Sequence, residues 1–340
     1  MLKENIRFVR KSFTFRRFIN VIKVYFSYLL SLIFRRAFYW GFPPIIMIEP
    51  TNVCNLKCPL CPTGNDTLKR QKGFMSFDVF KKIIDEVHKK SLMVVLWNQG
   101  EPYLNIEFNK MVKYASDHDL FTLVSTNGNL DIDGEDIVNS GLDSMIISLD
   151  GTNQKTYNKY RVNGKLENVL NNVKKIVTAR KKLRRNNPIL RWQFLVMKHN
   201  EHELDEIKRM AAALEVDNLE LKSIQIYSKE DVHNFLPKNP KYRRYKVKGE
   251  DFELKYGIKN QCRRIWTNAV VNWNGDVAIC CFDKEGEFKI GNVKDEKLEK
   301  LWKSKSIMKI RNQILKDRKQ IPVCRNCLEG VSIKLEETKV

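Results

Sequence analysis

Short apolar runs alternate with amphipathic segments from residue 43 to residue 226. Each run is too short for a typical helix and is rich in β-branched or aromatic residues, a pattern typical of buried strands. The six runs cover residues 45–49, 92–98, 121–127, 144–150, 190–197 and 219–226. Between them lie helical patterns such as residues 76–90, for which Ser76 is a suitable N-cap. Six β/α units in series predict an α/β fold with a parallel sheet.

The N-terminal region has a different pattern. Residues 18–34 are mostly apolar, include Lys23 and are flanked by arginines. The stretch is short for a spanning helix, which needs about 20 apolar residues, and an interfacial helix at a membrane surface fits better. The alternative is a helix packed on the protein's own core or on a second subunit.

Charge adds to this picture. The chain has a net charge of +21 over 340 residues, with nine Lys/Arg and one acid in residues 1–42, and eight basic residues and no acid between Lys174 and Arg191. Such regions attract anions: a phosphate-bearing ligand, nucleic acid or an anionic membrane. No nucleic-acid-binding motif accompanies the charge, so nucleic acid is the weakest of these candidates.

Polar residues follow the predicted strands at their carboxyl ends. They are Cys54, Cys58 and Cys61 after the first strand, Gly100, Glu101 and Pro102 after the second, residues 126–128 after the third, and Ser148 and Asp150 at the end of the fourth. In parallel barrels the loops at this end of the strands carry function. We therefore expect these residues to meet on one rim, although Glu101 by itself also fits a solvated turn residue.

The eight cysteines fall into two groups, residues 54/58/61 and 262/280/281/324/327, with no cleavable signal peptide before them. This distribution predicts metal ligation in a reducing, cytoplasmic setting rather than disulfides. Structural zinc needs four ligands, and the first group offers only three. A cubane iron–sulfur cluster normally takes four cysteines, so three leave one iron open to an external ligand.

The second group follows a polar, basic stretch at residues 238–250. Residues 265–280 read as a hairpin with a turn at Asn274-Gly275, which would bring Cys262 and Cys280 together. A helix is expected at residues 296–314, followed by the C-x2-C pair Cys324 and Cys327. Four thiolates in this arrangement could bind zinc or a closed cubane, and their spacing leaves the choice open.

Over residues 45–330 the sequence resembles the radical S-adenosylmethionine (radical SAM) enzymes. Cys54, Cys58 and Cys61 match the family's three-cysteine motif, with Leu60 where an aromatic residue is usual. The segment QGEP, residues 99–102, is similar to the family's GGEP motif, and Gln99 replaces its first glycine. Two further residues, Ser148 in ISLDG and Arg161 in YNKYRVNG, match positions that bind the cofactor's ribose or carboxylate, although Arg161 also fits ordinary surface charge.

The resemblance implies a partial (β/α)6 barrel of the TIM type. It also implies S-adenosylmethionine as a cofactor, a [4Fe-4S] cluster on the three cysteines, and adenine and methionine contacts from Leu60, Gly100, Glu101 and Pro102. An electron from the cluster would cleave the cofactor and yield a 5′-deoxyadenosyl radical, which takes hydrogen from an unactivated carbon. The usual electron donor would be a flavodoxin or a ferredoxin.

The C-terminal cysteines resemble the SPASM module of these enzymes, or its shortened Twitch form. Gly275 followed by Cys280 matches the module's G-x4-C, which implies Cys280 as a ligand and Cys281 as a spare thiol, with the reverse assignment open. With Cys262, Cys324 and Cys327 it would hold one auxiliary [4Fe-4S] cluster. The expected domains are an N-terminal segment (1–42), the barrel (43–245), the auxiliary domain (246–332) and a polar tail (333–340).

The sequence does not identify the substrate. A closed auxiliary cluster favours electron transfer and a net oxidation, and the basic N-terminal region favours a lipid-linked, sugar-like or phosphorylated substrate. Two alternatives are an enzyme that matures a peptide and a non-catalytic iron–sulfur or zinc scaffold. The five histidines are scattered along the chain, so no general acid or base is assigned.

Overall fold

A computed structural model describes residues 2–249, 251–327 and 337–339. Six parallel strands lie at the positions predicted from the sequence, which confirms the α/β fold. They are β1 (Ile45–Ile48), β2 (Met93–Val95), β3 (Phe121–Thr126), β4 (Ser144–Ser148), β5 (Ile189–Val196) and β6 (Asn218–Ser223). Each strand pairs with the next in parallel register from β1 to β6. The most deeply buried side chains of these strands pack against the surrounding helices.

Among the described residues, nine α-helices precede, connect or directly follow the six barrel strands. They are α1 (Leu2–Ser12), α2 (Phe15–Phe34), α3 (Phe77–Val87), α4 (Phe108–Asp117), α5 (Gly134–Asn139), α6 (Gln154–Asn158), α7 (Leu166–Lys182), α8 (Leu204–Ala213) and α9 (Lys229–Phe235). The predicted cap of α3 is confirmed, because the Ser76 side chain accepts a hydrogen bond from the backbone N–H of Val79. In the part of the chain that the structure describes, α2 is the helix that is long and apolar enough to cross a membrane by length and composition.

The C-terminal region continues the barrel sheet. Its elements are β7 (Tyr245–Lys248), β8 (Asp251–Leu254), α10 (Arg264–Thr267), β9 (Asn268–Val271), β10 (Asp276–Ala278), β11 (Lys289–Asn292), α11 (Leu298–Leu301), α12 (Lys305–Asp317) and β12 (Glu337–Lys339). Strand β9 pairs in parallel with β1, and β10 and β11 follow in antiparallel order. The sheet therefore runs without a break from the barrel into the cysteine-rich region.

Two local predictions are wrong in this region. The helix expected at residues 296–314 is split into α11 and α12, because the backbone of Ser304 is extended, with ψ of 158°, and interrupts the helix. The hairpin is confirmed around Gly275, but its first residues, 265–267, form the end of α10 rather than a strand. The polar tail expected at 333–340 lies largely outside the described residues, apart from β12, which pairs antiparallel with β6.

Helices α1 and α2 close the base of the barrel, where the strands begin. Phe8 of α1 packs edge-on against Phe121 at the start of β3, with ring centroids 5.3 Å apart. Arg7 and Lys11 both pair with the buried carboxylate of Asp143, just before β4. The rim at the carboxyl ends of the strands is therefore at the opposite end of the barrel from the N-terminal helices.

Candidate active site

The first three cysteines lie on the loop that follows β1. Cys58 is buried, and Cys54 and Cys61 are half-buried. The loop turns tightly, with the backbone N–H of Cys61 donating to the carbonyl of Cys58 at 3.1 Å. Gly64 then crosses so close to Cys58 that an added Cβ would lie 2.6 Å from its backbone nitrogen. Only glycine fits there without a shift of the loop.

Hydrogen-bond donors point at two of the sulfurs. Cys54 Sγ accepts from the backbone N–H of Leu56 at 3.4 Å and from the amide of Asn127 at 3.7 Å. Cys58 Sγ accepts from the guanidinium of Arg161 at 3.8 Å. Hydrogen bonds to the sulfurs are characteristic of iron–sulfur ligands, because they stabilise the anionic thiolate.

The electrostatics also fit a cluster. Burial raises the pKa of Cys54 to about 12, and a bound iron would stabilise its thiolate. Within the described residues, no three His, Cys, Asp or Glu side chains converge closely enough to hold a single metal ion. A cubane separates its thiolates more widely, since each binds a different iron. Three cysteines also leave a zinc site one ligand short, whereas they suit a cubane with one iron open to an external ligand.

The QGEP loop after β2 packs directly on the cysteine loop. Gly100 has φ of +76°, and an added Cβ would lie 2.5 Å from the carbonyl oxygen of Thr51. The backbone N–H of Glu101 donates to the carbonyl of Val53 at 2.8 Å. Pro102 begins a 3-10 turn. This loop therefore fixes the backbone just before Cys54.

Glu101 is a buried connector rather than a solvated turn residue. Its carboxylate accepts from Thr126 Oγ1 and from the backbone N–H of Asn127, both at 2.7 Å. Burial raises the pKa of Glu101 to about 7. The side chain thus joins the loop after β2 to the loop after β3, which carries the Asn127 donor to Cys54.

The Arg161 side chain is only 12% exposed, so the surface-charge alternative is wrong. Its Nε pairs with Asp150 Oδ2 at 2.6 Å, and the Asp150 side chain is completely buried. Because the same guanidinium donates to Cys58, the residue joins the end of β4 to the cysteine loop. Ser148 is buried at the end of β4. Leu60 packs in the apolar cluster beside the cysteines.

The second group of cysteines surrounds a buried arginine. Cys262, Cys324 and Cys327 are buried, and all three interact electrostatically with Arg318. The guanidinium of Arg318 donates to the carbonyl of Gln261 at 2.9 Å. A buried cation stabilises thiolates, as a cluster with several anionic ligands requires.

Cys280 and Cys281 have different environments. Cys280 interacts with Cys262, whereas Cys281 accepts from Arg264 at 3.2 Å and packs with apolar residues inside the barrel. A hydrogen bond from Cys280, together with Arg264, lowers the pKa of Cys281 to about 6. The electrostatic interaction of Cys280 with Cys262 agrees with Cys280 as the ligand, which stays a prediction.

Several site residues were not assigned a role from the sequence. Asn127 and Asp150 were placed on the rim by their positions after strands, but nothing indicated a contact with a sulfur or with Arg161. Arg264 and Arg318 look like ordinary charged residues in short helical segments. Only the fold brings them to the cysteines.

Two sequence profiles match the chain. That of the radical SAM superfamily covers residues 48–214, and that of an iron–sulfur cluster-binding domain, SPASM, covers residues 262–328. The chain belongs to the radical SAM superfamily. It is a radical SAM enzyme with a SPASM domain, and its cofactors are S-adenosylmethionine and iron–sulfur clusters at the SAM-binding and auxiliary sites.

Known relatives support this assignment. The radical SAM chain is 24% identical over 312 residues to a tungsten-containing aldehyde ferredoxin oxidoreductase cofactor-modifying protein of Pyrococcus furiosus, covering 83% of this chain and 86% of the relative. It is 28% identical to the PqqA peptide cyclase of Bradyrhizobium diazoefficiens, covering 55% of this chain and 48% of the cyclase. The match therefore spans about half the length of that cyclase.

A solved structure shares the fold. Streptococcus suis SuiB bound to S-adenosylmethionine superposes with a TM-score of 0.60 at 17% identity, covering 79% of this chain and 68% of SuiB. At this identity the likeness concerns the fold alone.

Proposed function

We propose that this radical SAM enzyme catalyses a net two-electron oxidation of a polar substrate. When bound at Cys54, Cys58 and Cys61, the reduced cluster and S-adenosylmethionine supply a carbon radical that takes one hydrogen atom from the substrate. An oxidised auxiliary cluster held by the second group of cysteines would accept the second electron of this oxidation, and the accompanying proton would go to solvent or to a base. An external flavodoxin or ferredoxin supplies the initial electron.

The second cysteine site is the observation that carries this proposal. With Cys280 as its ligand, Cys262, Cys280, Cys324 and Cys327 would supply four protein ligands and leave no iron open to substrate. A closed cluster suits electron transfer better than substrate binding. Residues of the barrel position the cysteine loop. Gly100 and Glu101 fix the backbone before Cys54, and Arg161 connects β4 to Cys58.

The inner surface of the barrel supports a polar substrate. Along β5 the half-buried residues Arg191, Gln193 and Leu195 alternate with core residues, so they face the interior of the barrel. Arg191 pairs with Glu220 of β6, which also pairs with Lys222 at 2.8 Å. The Lys222 side chain remains 43% exposed and offers a cation to an anionic or hydroxylated substrate.

The N-terminal helices do not favour a lipid-linked substrate. That idea depended on the apolar, basic character of residues 1–42, but α1 and α2 lie at the base of the barrel, away from the rim. A sugar-like or phosphorylated molecule that enters from the rim fits the geometry better.

A peptide substrate is the second candidate. It is supported by the similarity to the PqqA peptide cyclase and to SuiB, which has also been solved bound to the precursor peptide SuiA. Both substrate candidates use the same cysteine sites. They differ in whether a small polar molecule or a peptide enters the interior of the barrel.

The test begins with anaerobic reconstitution with iron and sulfide. We expect iron equivalent to two cubanes, an electron paramagnetic resonance signal perturbed by S-adenosylmethionine, and release of 5′-deoxyadenosine after reduction. Cys58→Ala should abolish the release of 5′-deoxyadenosine. Cys324→Ala should lose one cluster but still release 5′-deoxyadenosine. Zinc in place of iron, or no cofactor cleavage under any reducing condition, would contradict the proposal.

Deuterium transfer then separates the substrate classes. Extract from cells grown on deuterated medium is divided into small-molecule and peptide fractions, and each is incubated with the enzyme. The fraction that puts deuterium into 5′-deoxyadenosine contains the substrate. A product lighter by two hydrogens supports net oxidation, and a product of unchanged mass contradicts it.

A further inference from the structure

Helix α2 buries its polar face and exposes its apolar face, which is the reverse of the usual arrangement in a water-soluble protein. Its buried stripe is Arg17, Asn20, Val24, Ser27 and Ser31. A second stripe at the same helical spacing is exposed and consists of Phe15, Phe18, Ile22, Phe26, Leu29 and Ile33, each between 45% and 76% exposed. A surface helix normally turns its apolar stripe inward. Here the apolar stripe, which we term the outer face, points away from the barrel.

The polar stripe explains why α2 keeps this orientation. The Arg17 guanidinium donates to the carbonyls of His88, His118 and Asp119, at the ends of α3 and α4. Asn20 donates to the carbonyls of Phe42 and Lys90 and accepts from the Phe42 N–H at 2.7 Å. A helix that crossed a bilayer would lose these bonds, so α2 is suited to lie along a surface.

The charges beside the outer face are available to an anionic partner. Arg10, Arg16, Lys23, Arg35 and Arg36 are exposed, and none of them has a carboxylate partner among the described residues. Residues 5–48 contain no Asp or Glu at all. The basic run on α7 differs, since Lys175, Lys181 and Lys182 are paired with acids from neighbouring elements.

An apolar stripe bordered by unpaired cations fits one kind of partner. We propose that α2 is a monotopic anchor that lies in the surface of a bilayer containing anionic lipids, with the outer face at the acyl boundary and the basic residues at the headgroups. A second copy of this chain is a poorer partner, because a two-fold contact would bring the same cations of both copies together.

The anchor also fixes the direction in which the enzyme faces. Arg17 and Asn20 contact segments that precede β1, β2 and β3, whereas the cysteine loop, Gly100 and Asn127 follow these strands. The strands of the barrel separate the two ends, and β5, with eight residues, spans roughly 26 Å. The reaction rim therefore points away from the bilayer and stays open to substrate.

Flotation of the full-length, reconstituted enzyme tests the anchor. Vesicles of phosphatidylcholine alone are compared with vesicles of phosphatidylcholine and phosphatidylglycerol in equal parts. We expect binding to the anionic vesicles, reduced by about tenfold or more in Leu29→Glu. Lys23→Glu should weaken it by about fivefold or more.

Matched controls are Ile106→Glu and Lys174→Glu. Ile106 is 99% exposed on the rim side of the barrel, and Lys174 is exposed on α7. Both should bind like the wild type, and circular dichroism should show that all four variants are folded. Wild-type protein that stays unbound, or equal binding by Leu29→Glu and Ile106→Glu, would overturn the proposal. So would a dimer in light scattering, without lipid, that Leu29→Glu dissociates.

The orientation of the rim away from the bilayer is tested by a separate measurement, the rate of cofactor cleavage, which rests on the proposed function. Vesicle-bound enzyme should release 5′-deoxyadenosine at the same rate as free enzyme, because its rim remains open. A rate that falls severalfold on binding would overturn the orientation while leaving the anchor in place. If neither free nor bound enzyme cleaves the cofactor, the proposed function fails, and the flotation result still decides the anchor.

Discussion

At the scale of single residues, Arg161 joins the end of β4 to the cysteine loop, because its guanidinium pairs with Asp150 and donates to Cys58. Asp150 is completely buried, so removal of the arginine leaves its carboxylate without its cation. We expect Arg161→Met to lower the free energy of unfolding by about 3 kcal/mol, the usual result of breaking a buried ion pair. Urea unfolding of the cluster-loaded protein under anaerobic conditions measures this.

The double variant with Asp150→Asn is the control. Asparagine keeps an oxygen that can accept from the backbone N–H of Leu195, as Asp150 does at 2.7 Å, but it carries no charge. The double variant should therefore recover part of the loss. If Arg161→Met were as stable as the wild type, the arginine would serve the bound cofactor alone.

His199 makes stability depend on pH. Burial lowers the pKa of His199 to about 4, and its Nε2 has no hydrogen-bond partner within the described residues. The unfolded chain binds a proton near pH 6.5 and the folded chain does not, so this residue makes stability fall as the pH drops from about 6.5 towards 4. His199→Gln should reduce the fall in the urea unfolding midpoint between pH 7 and pH 5.

His202→Gln is the matched control, because the His202 side chain is 71% exposed. It should leave the slope of stability against pH as in the wild type. An unchanged slope in His199→Gln would show that its ring is solvated in both states.

The sequence could predict those site residues whose role depends on local spacing, but not those whose role depends on contacts between distant parts of the chain. Cys54, Cys58 and Cys61 are recognisable because the chemistry itself sets their spacing. Asn127, by contrast, contacts Cys54 from 73 positions away, and its side chain looks like that of any turn residue after a strand. Contacts of this kind depend on how parallel strands are aligned, which local patterns do not contain.

At the scale of elements, the β9–β10 hairpin depends on one glycine. Gly275 has φ of +92°, and a Cβ there would lie 2.6 Å from Asn292 Oδ1. We expect Gly275→Ala to cost about 1–3 kcal/mol and to displace Cys280, which follows the second strand. Iron content should fall towards one cluster, while cofactor cleavage at the first site persists.

Gly257→Ala tests whether the effect is specific to the hairpin. An added Cβ at Gly257 meets no atom within 4 Å. This variant should retain wild-type iron content and melting temperature. Equal iron loss in both variants would point to a general sensitivity of the C-terminal region instead.

The elements predicted best were those defined by local pattern. The strands and α3 were found because burial imposes a period on their residues and Ser76 caps the helix. The break between α11 and α12 was missed because residues 296–314 keep a helical pattern through Trp302. The extended backbone at Ser304, which separates the two helices, leaves no signal in that pattern.

At the scale of the whole molecule, the sequence indicated a barrel followed by a separate cysteine-rich domain. It did not indicate that β9 would pair with β1, because a partner more than 200 residues away leaves no local signal. The auxiliary region is therefore joined to the barrel through a shared sheet as well as through the chain.

This shared sheet predicts that the barrel needs the C-terminal region for solubility. A chain ending at residue 257 would lack β9 and leave β1, Ile45–Ile48, as an open edge of four apolar residues. Exposed apolar edges promote intermolecular pairing. We expect this truncated chain to aggregate, as measured by soluble yield and size-exclusion chromatography.

Full-length Cys324→Ala, which lacks a cluster ligand but keeps β9, should remain soluble. If both proteins aggregate, the auxiliary cluster stabilises the fold, whereas a soluble truncated monomer would mean that the barrel folds independently of β9.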